Sequence, residues 1–187
     1  GTLEAILAAP REPARGLALI CHPHPLYGGA MSNKVVYTLA ACALKSGRYA
    51  LRFNFRGVGR SEGAHDNTVG ETEDTVFLAR WLREQIPGLP LMLAGFSFGA
   101  FVSLQAAARV NAERLVSIAP PFGKYLGDAP PPAHPRCPWL VVHSRDDDTV
   151  SYEHAAAALR GYDPPPQLIT LDGCGHFFNG RLNDLSE

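Results

Sequence analysis

Gly95-Phe96-Ser97-Phe98-Gly99 follows the apolar run Leu89-Pro90-Leu91-Met92-Leu93-Ala94 and precedes the helix-like stretch Ala100–Ala108. Between a strand and a helix, a Gly-x-Ser-x-Gly pattern sets its serine on a sharp, strained turn. The hydroxyl is pushed out above a parallel sheet, and the glycines let the two backbones approach closely. Ser97 is therefore the candidate nucleophile. A serine hydroxyl is weak at its own pKa, so attack on a carbonyl needs a base within hydrogen-bond reach and a third group to orient that base. The chain supplies both types after later apolar runs. Ser144-Arg145-Asp146-Asp147-Asp148-Thr149-Val150 follows Trp139–His143, and Asp172-Gly173-Cys174-Gly175-His176-Phe177-Phe178 follows Leu168–Leu171.

Of the seven histidines, His176 alone lies in a glycine-bracketed loop after the last strand, where it can reach the strand ends, and it is the candidate base. His143 ends a buried strand and is read as satisfying a backbone group. His65, His134 and His154 are read as surface residues. Asp146, Asp147 and Asp148 all remain open as the orienting acid. A metal is not expected there, because consecutive carboxylates point in different directions and no complementary ligands accompany them. Nor is one expected at His22 and His24, two residues apart on a proline-stiffened segment without further ligands.

Acyl transfer also needs two donors aimed at the developing oxyanion. The first is the N–H of Phe98, directly after the nucleophile. In the loop His22-Pro23-His24-Pro25-Leu26-Tyr27-Gly28-Gly29 the prolines have no N–H, which leaves His24 or Leu26 for the second. Phe55–Gly63 resembles a phosphate-binding loop only superficially. Its Gly57-Val58-Gly59-Arg60-Ser61-Glu62 lacks the last glycine of G-x-G-x-x-G, no Gly-Lys-Ser/Thr follows, and a tight exit from a strand accounts for it. No cofactor is expected.

These residues need a scaffold that presents several loops along one rim. Apolar, β-rich runs alternate with helix-like runs throughout, which calls for an α/β fold: a doubly wound, mostly parallel sheet with helices on both faces. The predicted strands are Leu3–Ala8, Leu17–Cys21, Ala50–Phe55, Leu91–Gly95, Leu115–Ala119, Trp139–His143 and Leu168–Leu171. Helices are predicted over Ser32–Ser46, Glu71–Gln85, Phe98–Val110 and Tyr152–Leu159. In the second helix Val76, Leu78, Ala79 and Leu82 share a buried face, with Glu71, Glu73, Arg80 and Glu84 toward water. The proline-rich stretches Asp128–Pro138 and Asp163–Pro166 read as irregular connections without a packed core of their own.

With 187 residues a single domain is expected, 1–187, trimmed at both ends, since the sequence opens on the brink of a strand and stops soon after a helix start. A charged fraction of 19% and a net charge of −1 give no reason to expect nucleic acid as a partner. Apolar runs fall short of the ~18 residues a membrane helix needs, so no membrane is expected either. Cys21, Cys42, Cys137 and Cys174 form no Cys-x-x-Cys pair, and a reducing cytoplasm is the expected compartment. Oligomeric state is not legible.

Taken together, the residues resemble the α/β-hydrolase superfamily, in particular small bacterial serine hydrolases without a lid. The resemblance is carried by His22-Pro23-His24-Pro25 with Gly28-Gly29, Leu51–Ser61, Gly95–Gly99, Asp147–Val150 and Gly175–Phe178. It spans nearly the whole chain. The order Ser97, Asp147, His176 is that of the superfamily and not of chymotrypsin or subtilisin. The family's Gly-x-x-Asp-x-x-Val pattern, with Ser144 replacing the glycine, selects Asp147 as the acid, and the position of the family's second donor selects the His24 N–H. What the resemblance implies is cofactor-independent hydrolysis of a small-molecule ester through an acyl-enzyme. Thioester hydrolysis and acyl transfer are supported by the same constellation. A ligand-binding protein that keeps the fold is the reading from another class, and the intact Ser, Asp and His set argues against it. The connection from Ala119 to Trp139, dense in proline, cannot build a helical cap, so an open site favouring short or compact acyl groups is expected.

Overall fold

The computed structural model describes residues 1–186. Seven strands form one sheet: β1 (Ala5–Ala8), β2 (Gly16–Cys21), β3 (Arg48–Phe53), β4 (Leu91–Phe96), β5 (Arg114–Ile118), β6 (Trp139–Ser144) and β7 (Gln167–Leu171). Their order is β1-β3-β2-β4-β5-β6-β7, with β1 antiparallel to β3 and every other neighbouring pair parallel. The inner strand β2 is buried at all six positions, as a continuous apolar run covered on both faces must be.

Four helices cover the sheet: α1 (Lys34–Lys45), α2 (Val69–Gln85), α3 (Phe98–Ala107) and α4 (Tyr152–Leu159). On one face Val35, Val36 and Leu39 of α1 pack over Ala18, Ile20 and Phe96. On the other, Val76 and Leu82 of α2, Val102 of α3 and Leu159 of α4 pack over Leu17, Leu19, Leu93 and Val141. This is the α/β-hydrolase fold, and between β5 and β6 the chain forms neither helix nor strand, so no cap is inserted.

The chain leaves β2 for β3 on one side and returns to β4 on the other. The loops after β2 and β4 therefore diverge at a topological switch point, where an open parallel sheet leaves a crevice at the carboxyl ends of its strands.

Two sequence expectations fail here. Glu71 does not face water: it is fully buried, with Oε1 accepting from the Asp66 N–H (2.9 Å) and Oε2 from the Thr68 N–H (3.0 Å). The first turn of a helix has orphan donors, and a carboxylate that satisfies them is held in place whatever the helical wheel dictates. His65 is not a surface residue. Its side chain is only 10% exposed, its Nδ1 lies 2.9 Å from Glu71 Oε1 but off the hydrogen-bond line, and its ring packs against His24 and Phe98. His134 is half-buried against Trp139 and Tyr162, whereas His154 is exposed.

Candidate active site

Ser97 joins β4 to α3 with φ +52°, a left-handed conformation that is costly for a residue with a Cβ and persists only where its surroundings impose it. They do so through the backbone. The Ser97 N–H donates to the Ile118 carbonyl (2.8 Å), and the Ser97 carbonyl accepts from Ala100 and Phe101. The flanking glycines are required by contact: a Cβ on Gly95 would lie 2.2 Å from the Gly99 carbonyl oxygen. One on Gly99 would lie 2.3 Å from that of Cys21. The helix is thus drawn against β2 and β4, and Ser97 remains only 6% exposed.

His176 arrives from the loop after β7. Its Nε2 lies 3.1 Å from Ser97 Oγ and its Nδ1 2.7 Å from Asp147 Oδ2, with the ring packed against Phe96 and Phe177. It is buried, not a partly exposed loop histidine. Asp147, from the loop after β6, is saturated with donors: Oδ1 accepts from the N–H groups of Thr149 (2.9 Å) and Val150 (2.7 Å), and its side chain is inaccessible. His143 Nε2 lies 3.4 Å from Asp147 Oδ2 and 3.1 Å from the Val150 carbonyl. Its buried Nδ1 has no partner among the described residues, so the ring proton belongs on Nε2, facing those two oxygens. Burial acts to raise the Asp147 pKa. The hydrogen bonds from His143, His176 and Val150 outweigh it and hold the carboxyl well below the usual carboxylate range. A permanently charged carboxylate on Nδ1 fixes the tautomer in which Nε2 can take a proton from a serine.

The three adjacent aspartates have three different partners. Asp148 is exposed and meets only Thr149 Oγ1 (3.2 Å). Asp146 accepts from Ser144 Oγ (2.7 Å) and from the N–H groups of Gly173 (2.8 Å) and Gly175 (3.3 Å), tying the β6 loop to the segment that carries His176. Sequence reasoning missed this anchor. The signal available was Ser144 itself, a hydroxyl donor two residues before Asp146 where the family pattern has glycine.

Phe98 opens α3, so its N–H has no acceptor within the helix. Across the crevice, the Leu26 N–H donates to His24 Nδ1 (3.1 Å), while the His24 N–H meets no protein acceptor among the described residues. Both His24 and Ser97 line a cavity of about 470 Å³ walled by Tyr27, Tyr125 and Phe177. The β5–β6 connection supplies Pro121, Lys124 and Tyr125 to that wall and buries Phe122 in the core, all before Asp128–Pro138, the stretch expected to lack a packed core of its own. His22 has no lone pair left for a metal: Nε2 accepts from the Phe55 N–H (3.0 Å) and Nδ1 lies 2.6 Å from the Pro23 carbonyl. Among the described residues no three His, Cys, Asp or Glu side chains are grouped to hold a metal ion. The segment Phe55–Ser61 folds as successive turns, with Val58 donating to the Phe55 carbonyl and Ser61 to that of Val58. A larger cavity, about 890 Å³, lies at the opposite ends of β5–β7 around Met92, Val116, Leu140 and Pro165, away from Ser97 and His176.

A family model for the alpha/beta hydrolase fold matches residues 19–137. The chain belongs to the α/β-hydrolase family. An alpha-beta serine hydrolase homologue from Coxiella burnetii is 39% identical and superposes with a TM-score of 0.91, covering 98% of this chain and 88% of that one. An α/β serine hydrolase without lid from Xanthomonas campestris is also 39% identical, with a TM-score of 0.89 over 98% and 84% of the two chains. An uncharacterized protein of Rickettsia prowazekii (strain Madrid E) is 31% identical over all of this chain and 82% of its own length. With such relatives the protein is a hydrolase, and no helix among its described residues is long and apolar enough to cross a membrane.

Proposed function

We propose that the protein is a serine carboxylesterase acting as one domain on small, compact esters. The observation that supports this best is the unbroken line of contacts Ser97 Oγ–His176 Nε2 (3.1 Å) and His176 Nδ1–Asp147 Oδ2 (2.7 Å), opening on a ligand-sized cavity. As Ser97 Oγ bonds to the ester carbonyl carbon, its proton passes to His176 Nε2, and the carbonyl oxygen takes up the negative charge. The Phe98 and His24 N–H groups stabilise that oxyanion. Its collapse breaks the carbon–alkoxy bond, and the alcohol leaves with the proton from His176. Water then gives a proton to His176 and its oxygen to the acyl carbon, and as the carbon–Ser97 Oγ bond breaks His176 returns the proton to Oγ, releasing the carboxylic acid and regenerating Ser97. Without a cap, little apolar surface covers a long acyl chain, so each added methylene is worth less than the ~0.8 kcal/mol of full burial. None of the four cysteines forms a disulfide among the described residues, which suits a reducing cytoplasm.

The test joins labelling to turnover. A fluorophosphonate should add once, at Ser97, and p-nitrophenyl acetate and butyrate should be hydrolysed faster than the octanoate. Both labelling and hydrolysis should vanish in Ser97→Ala. No adduct, or an adduct at Ser32, Ser61 or Ser103, defeats the reading. A steep preference for long chains would keep the nucleophile but refute the compact substrate.

A further inference from the structure

The cavity in front of Ser97 is unevenly charged. Its lining includes Lys124 and no aspartate or glutamate. Asp147 lies behind His176 with its side chain inaccessible, and Asp148 is not part of the wall. The Lys124 ammonium donates to the Thr149 carbonyl, a neutral acceptor, and makes no ion pair among the described residues. A cation at the mouth of a binding cavity, uncompensated by any protein carboxylate, is an electrostatic feature a ligand can complete.

The neutral polar groups of the wall have the same sense. Asn33 Oδ1 accepts from the N–H groups of Val35 and Val36 at the start of α1, which leaves its amide N–H₂ as the unengaged end. His24 Nδ1 accepts from Leu26, so the ring's donor is Nε2. The Tyr125 hydroxyl has no protein partner among the described residues, and burial pushes its pKa up to about 12, which keeps it an O–H donor. Burial is also the main cause lowering the His24 pKa; His65 adds to it, the buried Glu71 carboxylate opposes it, and Lys124 adds a smaller lowering. The ring of Tyr125 stands edge-on to Phe98, and Tyr27 packs against His24, giving the donors a flat aromatic setting.

We infer that Lys124 sets substrate choice and that the preferred substrates are compact esters bearing a carboxylate, held by its ammonium while Ser97 attacks the ester carbonyl. The inference rests on the esterase reading. Its mechanism is the charge-assisted hydrogen bond, stronger than a neutral one, and because Lys124 is exposed the contact stays open to water and salt. The carboxylate can belong to the acyl or the alcohol half, and the test has an arm for each.

Initial rates would be compared for 4-nitrophenyl hydrogen terephthalate and its neutral methyl ester, a rigid pair in which the carboxylate cannot attack its own ester. The second arm compares 4-butyryloxybenzoate with its methyl ester. For wild type, Lys124→Met and Lys124→Arg, the readout is the ratio of kcat/KM, anionic over neutral, within each pair. In at least one pair the ratio should fall about tenfold in Lys124→Met, the scale of one charge-assisted contact, and recover in Lys124→Arg. Raising the salt concentration should lower it in wild type and leave Lys124→Met unchanged. An unchanged ratio in both pairs overturns the inference, whether the rates hold or fall equally on all four esters, the latter making Lys124 a prop for the wall and nothing more. Those outcomes leave fluorophosphonate labelling of Ser97 intact. Loss of labelling together with turnover of every ester would instead remove the esterase reading and this inference with it.

Discussion

The two halves of the site are held by different kinds of force. On one side the β4–α3 elbow is fixed by backbone alone: a positive φ at Ser97, a main-chain bond to Ile118, and two glycines pressed against the carbonyls of Gly99 and Cys21. On the other side His176 and Asp147 come from loops after β6 and β7 and are held by side chains, with Asp146 tying the loops together and His143, Thr149 and Val150 converging on Asp147. The elbow belongs to the packed core, so damage to it should appear as lost stability. The acid and base loops lie on the rim, and damage there should appear as lost turnover in a protein that still folds.

The sharpest test of that division is Asp147→Asn. The amide fits the same space but holds His176 in the wrong tautomer, and a loss of about 10⁴-fold in kcat is expected with folding retained. Asp148→Asn, which disturbs one exposed contact with Thr149, should stay within about twofold of wild type, as a surface change worth a few tenths of a kcal/mol. Equal losses would show that the three carboxylates act collectively.

Next in size comes a paired comparison across the two halves. Gly99→Ala drives a methyl group into the carbonyls of Cys21 and His22, backbone atoms that cannot swing aside. Overpacking typically costs about 1–3 kcal/mol or more, so Tm should drop by roughly 5–10 °C. Asp146→Asn removes an exposed charge whose bonds reach the Gly173 and Gly175 N–H groups. Its Tm should move by less than about 2 °C, while kcat falls about tenfold as His176 loses its fixed approach. Asp146→Glu, which keeps the charge, should recover part of that loss. A large Tm change in Asp146→Asn with normal kcat would place the anchor in the fold and not in the site.

The same division explains what was legible in the sequence. Seven strands and four helices were recognisable because buried parallel strands and covering helices leave long-range patterns of apolar residues, and the observed bounds fall within a few residues of those predicted. The elbow was legible because its constraint is local: Gly95, Ser97 and Gly99 are near neighbours in the chain. Residue type and order led to Ser97, His176 and one of Asp146, Asp147 and Asp148; the choice of Asp147 came from the resemblance to the family, and the distances were not legible. What escaped was set by contacts between segments far apart. Glu71 and His65 looked like solvent-facing residues until the loop before α2 enclosed them. The place of Lys124 and Tyr125 at the cavity escaped because it follows from where the loop after β5 falls and not from any periodicity.

The last comparison separates the two halves by pH. His22, at the end of the segment against which Gly99 packs, is fully buried, and burial lowers its pKa to about 4 even though the Pro23 carbonyl favours the proton. The unfolded chain binds that proton near pH 6.5, whereas the folded protein resists it until about pH 4, so stability declines as pH falls through this window. The full penalty is of order 3 kcal/mol. Asp147 acts in the same direction over a lower range: its folded pKa is also depressed, so its contribution is complete above the ordinary carboxylate value and is lost only as pH falls below that value toward the depressed one. Between pH 6.5 and 4 the elbow side should therefore weaken while Asp147 stays charged. Urea unfolding of wild type and His22→Gln at pH 7, 5.5 and 4 checks this. The variant, which has no proton to gain at that position, should start less stable at pH 7 and lose less on acidification, and its difference from wild type should shrink as pH falls. Parallel curves would mean that His22 already takes up its proton in the folded protein, and that the elbow is not held by a neutral, fully buried ring.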